Sequence, residues 1–136
     1  MKKTLLLAGP VLAALLGVTA AEAQSSISCM YMLLRVYRAE LEYCRVPLPP
    51  QREARYQRMK AGLEQFIRAN GKNDPEALIK GIDSNVQRAL SGLKSCQSDD
   101  FRLAQQAMDQ LTEPENEAMV SRTIKIPRDP QQGSCG

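Results

Sequence analysis

Apolar residues recur along this chain at alternating steps of three and four, the spacing that lines one face of a helix. Over residues 27–44, Ile27, Met30, Leu34, Tyr37, Leu41 and Cys44 form one line, with Cys29, Leu33, Val36 and Tyr43 beside it. Such a helix is predicted to bury more than half of its circumference and to lie at the centre. The run Pro47-Leu48-Pro49-Pro50 ends it, because proline lacks an amide donor and constrains the residue before it.

A second helix is predicted from Pro50 to Ala69 on Tyr56, Met59, Leu63, Phe66 and Ile67, with Asn70-Gly71 as a left-handed cap. A third opens at Asp74-Pro75 and continues through Ile79, Ile82, Val86, Ala89, Leu90 and Leu93 to Cys96. Ser98 or Asp99 caps a fourth, whose stripe is Phe101, Ala104, Met108 and Leu111. Thr112-Glu113-Pro114-Glu115 reads as a capping box for a short further turn to Val120, and past Ser121 the helical pattern stops. Gly62, Gly81 and Gly92 fall inside helices at about 1 kcal/mol each relative to alanine, which predicts close helix crossings there. The fold class is therefore all-α: a small disulfide-crosslinked bundle of about four helices with an irregular C-terminal tail.

Before the first of these helices stand Lys2, Lys3, an apolar run from Leu5 to Val18 and Ala21-Glu22-Ala23. That order is the pattern of a secretory signal cleaved after Ala23, in bacterial style. The run falls short of the roughly 20 residues that span a bilayer, so no integral membrane anchor is expected. The chain divides into a signal peptide over 1–23, a helical domain over 24–121 and an extended tail over 122–136. The compartment is periplasmic or secreted.

Four cysteines follow the signal, and in an oxidising compartment an even count favours two disulfides. Cys29 and Cys44 are separated by fifteen residues of one helix, about 22 Å at ~1.5 Å per residue, too far to bridge. An up-down-up arrangement of the first three helices brings the ends of the first and third together. That pairs Cys44 with Cys96, in a bridge buried between helix ends. Cys29 then pairs with Cys135, nearer the surface, and ties the tail back.

The absence of histidine removes the usual charge relay, imidazole metal sites and c-type haem attachment. No glycine-rich phosphate loop and no C-x-x-C pair occurs. No cofactor, no metal site and no enzymatic activity are expected. Glu40, Glu42, Glu53 and Glu64 are the acids available to a carboxylate-dependent hydrolase, the least favoured alternative. Met30 and Met32 stand two apart and so point in different directions, which suits core packing.

Charge is uneven: residues 24–72 hold nine Lys/Arg against four Asp/Glu, and residues 73–136 hold seven against ten. The small total excess excludes a nucleic-acid partner. Arg38 and Glu42 pair at i,i+4, as do Glu64 and Arg68, while Arg45, Arg52, Arg55 and Arg58 have no partner nearby in the sequence. Two readings follow: these arginines are neutralised by the acidic half, or they dock a protein or an anionic envelope polymer. The function expected is that of an exported non-catalytic protein that binds another macromolecule, with a periplasmic stress chaperone of the holdase type as alternative.

Overall fold

A computed structural model describes residues 25–135, so the expected signal over 1–23 lies outside the described residues. Five helices form among them: α1 (Ile27–Tyr43), α2 (Pro50–Asn70), α3 (Pro75–Gly92), α4 (Asp99–Leu111) and α5 (Pro114–Thr123). The all-α class holds, with one helix more than the count of about four. Extended pairing among the described residues is confined to an isolated parallel bridge between Ser25 and Ser134.

Helix α1 packs against α2, α3 and α4, the central place its two apolar lines require. Its buried stripe is nonetheless displaced from the expected one. Ile27, Tyr31, Leu34 and Leu41 are buried, whereas Met30 and Tyr37 are only partly covered. Tyr31 is 1 % exposed although it belongs to neither predicted line.

The start of α1 is held from two directions. Ser26 accepts from the Cys29 amide at 3.1 Å, while the returning tail offers the Pro130 carbonyl to the Ser28 amide at 2.9 Å and the Ser134 carbonyl to the Ser26 amide at 3.0 Å. Amides that have no partner within a helix are thus satisfied by residues a hundred positions away. At the other end, the Val46 amide reaches the Leu41 carbonyl at 2.9 Å and the Arg45 amide reaches Glu42 at 3.0 Å. These are the two bonds of a Schellman cap, with Arg45 in its left-handed position at φ 58°.

Several local expectations are corrected. Gly71 caps α2 in extended backbone, φ −63° and ψ 129°, so it is not a left-handed cap. Space is what selects glycine there, since a Cβ would stand 2.8 Å from Pro75 Cγ and 2.9 Å from the Ile67 carbonyl oxygen. Helix α3 stops at Gly92, four residues short of Cys96, because Leu93 is already extended. Among the helical glycines, only Gly62 marks a close approach, with Ile124 Cδ1 2.9 Å from the place of a Cβ; Gly81 and Gly92 face open space. Thr112 does not begin a capping box. It caps the end of α4 in full burial and donates its hydroxyl to the Met108 carbonyl at 2.6 Å. Helix α5 then continues past Ser121 to Thr123, so the irregular tail starts two residues later than expected.

The disulfides join Cys29 to Cys135 and Cys44 to Cys96, the same two pairs that helix length and helix order select. No described cysteine is free, which suits an oxidising compartment. The Cys44–Cys96 bridge is half-buried at both ends rather than buried, while the other bridge joins a buried Cys29 to an exposed Cys135. No described helix is long and apolar enough to cross a membrane.

Candidate functional site

The arginine face of α2 meets the acidic second half of the chain. Arg52 donates to Glu113 Oε1 at 2.8 Å and to Thr112 Oγ1 at 3.0 Å, and Arg55 donates to the Thr112 carbonyl at 3.2 Å. Arg58 grips Glu117 through both carboxylate oxygens at 2.8 and 3.0 Å. Arg35, further back on α1, pairs with Asp83 of α3. The partners that sequence separation concealed are therefore about 50 to 60 residues away, at |i−j| 48 for Arg35 and 57 to 61 for the others. Of the quartet expected to form a docking face, only Arg45 has a side chain with no hydrogen bond among the described residues, and its backbone ends α1. Arg52 and Arg58 are thus neutralised by carboxylates of the acidic half, the first of the two readings, and Arg55 meets a backbone carbonyl there.

The four acids do not assemble into one site. Glu42 and Glu53 share Arg38, at 3.3 and 3.1 Å. Glu64 accepts from Tyr31 at 2.9 Å and pairs with Arg68 at 2.6 Å. Burial alone would raise the Glu64 carboxyl, but the Tyr31 and Arg68 hydrogen bonds outweigh it and hold the group below the ordinary carboxylate range. Glu40 is pushed upward by burial and by the charge of Asp100. No described cluster of three acids and cysteines has the spacing of a metal site.

A different feature stands out on the side of α1 that carries the displaced apolar line. Met30, Leu33 and Tyr37 of α1, Met59 and Leu63 of α2, Ala107 and Leu111 of α4, and Met119 and Val120 of α5 surround an open groove of about 520 Å³. Leu34 completes the apolar wall, and the remaining lining, Ser25, Gln110 and Asn116, is polar but uncharged. A volume of this order falls in the range of ~300–1,000 Å³ typical of ligand sites. Met30, Met59 and Met119 supply flexible, polarisable walls that reshape around different apolar guests. The Met30-x-Met32 pair divides as helix geometry requires: Met30 faces this groove, and Met32 lies 3.6 Å from the Asn85 amide of α3.

Helix α5 forms one wall of the groove. Its one buried side chain is Val120, and Met119 remains 40 % exposed. Sequence periodicity gave partial notice of the site. The spacing of Met30 and Tyr37 places them on a core line, and what leaves them half open is a fifth helix too weakly patterned to be assigned a face. Scans against protein-family models, curated proteins and solved structures find no match to this chain.

Proposed function

We propose that this is an exported, non-catalytic binding protein of the periplasm or extracellular space, whose contact surface is the groove between α1, α4 and α5. The observation that carries the reading is the uncharged, methionine-rich lining over a volume of about 520 Å³. Its occupant is the apolar face of a polypeptide segment. From Met30 to Tyr37 the groove follows two turns of α1, about 10 Å at ~1.5 Å per residue, which accommodates anchors spaced i, i+3 and i+7 on a partner helix. An anionic envelope polymer suits this lining poorly, since no cation faces it. The arginine face of α2 serves the fold instead.

The test is a titration of the oxidised chain with an uncharged naphthylamine dye, followed by displacement with a two-turn amphipathic peptide. Leu33→Lys and Met119→Lys place charge in the groove at positions that are not fully buried, so folding is retained. Each is expected to weaken dye and peptide at least tenfold. Wild-type affinity in both variants would remove the groove from the reading.

A further inference from the structure

Helix α5 separates two cavities. On one side lies the groove already described; on the other, a second space of about 330 Å³ opens between α2 and α5, lined by Arg58, Met59, Pro114, Glu117, Val120 and Ile124 among others. Met59 and Val120 border both spaces. A helix flanked by open volume on two sides gains little from dispersion, because its walls lack partner atoms there. Its length of ten residues is also below what an isolated helix needs to persist in water.

Besides buried Val120 and the approach of Ile124 to Gly62, polar contacts hold α5 in place. Glu113 at its N-cap meets Arg52, Glu117 meets Arg58, and the preceding Thr112 carbonyl meets Arg55. Glu113, Glu115 and Glu117 also face the positive end of the helix dipole, and Asp109 of α4 lies within electrostatic reach of Arg52. Both ends of the segment are also fixed by contacts outside the Arg52–Glu113 and Arg58–Glu117 pairs. Thr112 is fully buried at the end of α4, and beyond α5 the buried Pro130 and the Cys29–Cys135 bridge hold the tail to α1.

We infer that α5 is a strap: a short helix between two fixed anchors, clasped to α2 by Arg52–Glu113 and Arg58–Glu117, that lifts to merge the two cavities and admit the groove's occupant. The lifting stands on the packing alone, while the gating role rests on the groove being the contact surface. Release of the clasp exposes Met59 and Leu63 of α2 without unfolding α1 to α4.

Hydrogen exchange of the oxidised chain, read by mass spectrometry, tests the motion, and stopped-flow binding of the uncharged naphthylamine dye tests the gate. Glu113→Gln with Glu117→Gln is expected to speed exchange over 114–123 at least tenfold, leave the centres of α1 and α2 protected, and raise the dye association rate severalfold. Exchanging the charges, Arg58→Glu with Glu117→Arg, is expected to bring exchange over 114–123 back towards the wild-type rate, a recovery that loss of side-chain packing would not give. Unchanged exchange over 114–123 in the double glutamine variant, or acceleration spread evenly across α1 to α4, overturns the strap. Faster exchange with an unaltered dye association rate overturns the gate. If the dye fails to bind the wild-type chain, the groove reading and the gate fall together, while the exchange result still decides the strap.

Discussion

Tyr31 donates its phenolic hydrogen to Glu64 Oε2 at 2.9 Å, joining the largest fully buried side chain of α1 to a carboxylate on α2. Burial, and next the bond to Glu64, push the Tyr31 phenol up to about 12, and burial does the same to Tyr56. A raised folded value means that the unfolded chain ionises first as pH increases. The stability these phenols hold is complete below pH ~10 and is lost as pH climbs towards 12. Circular dichroism during an alkaline titration should show helix loss within that window, coincident with the tyrosinate absorbance of these two residues.

Removing the Tyr31 hydroxyl acts at the acid end. Glu64, held below its ordinary value, contributes stability that is present above pH ~4.3 and disappears as pH falls through its depressed folded value. Tyr31→Phe is expected to cost about 1.5–3 kcal/mol at neutral pH, the range for a hydrogen bond to a charged group. It should also flatten the acid limb of stability against pH. Urea denaturation at several pH values measures both, and an acid limb as steep as in the wild type would rule out the linkage.

Arg45 supplies a left-handed residue where glycine carries no steric penalty. Relief of that conformation, estimated at roughly 1–2 kcal/mol, exceeds the added backbone entropy of glycine in the unfolded chain. Arg45→Gly should therefore raise the melting temperature by a few degrees, and a lowered melting temperature would show that the arginine side chain does more than end α1.

Two glycine-to-alanine exchanges should have opposite signs. Gly81 is an exposed helical position with nothing near a new Cβ, so Gly81→Ala is expected to stabilise by about 0.5–1 kcal/mol. Gly71→Ala drives a methyl group into Pro75 and the Ile67 carbonyl and should destabilise by ~1–3 kcal/mol, the cost of overpacking. Thermal melts of the two proteins side by side decide the matter.

The disulfides should fail in different ways. Cys44 and Cys96 close a separation of 52 residues, and in the chain-entropy model their replacement by alanine costs about 4 kcal/mol in the stability of the whole bundle. Replacing Cys29 and Cys135 is expected to loosen the tail beyond Thr123 first, visible as faster exchange at the Ser26 and Ser28 amides before any change in α2 or α3.

Why the four main helices and the bridges were readable, and the groove was not, comes down to the range of the forces involved. Helix spacing, the Ser98 and Asp74 caps and the distance between Cys29 and Cys44 are local facts, written within a few turns of chain. Arg52 finding Glu113, or Tyr31 finding Glu64, depends on which helices become neighbours. The helix-one pattern offered two apolar lines, and Tyr31 lay outside both because tyrosine enters a core when its hydroxyl has a partner, here supplied by α2. Helix α5 escaped full recognition because an exposed Met119 and a lone buried Val120 make hardly any stripe.

The closure of the chain upon itself has a mechanical meaning. Ser25 pairs with Ser134, and Cys29 is covalently joined to Cys135. A pull applied at residues 25 and 135 passes through the sulfur atoms after only the first turn of α1, so the force bypasses the rest of the bundle. Stretched from these points, the oxidised protein behaves as a short inextensible link whose interior bears no load. After reduction, the same pull travels through α1 and the strap, and the molecule becomes extensible.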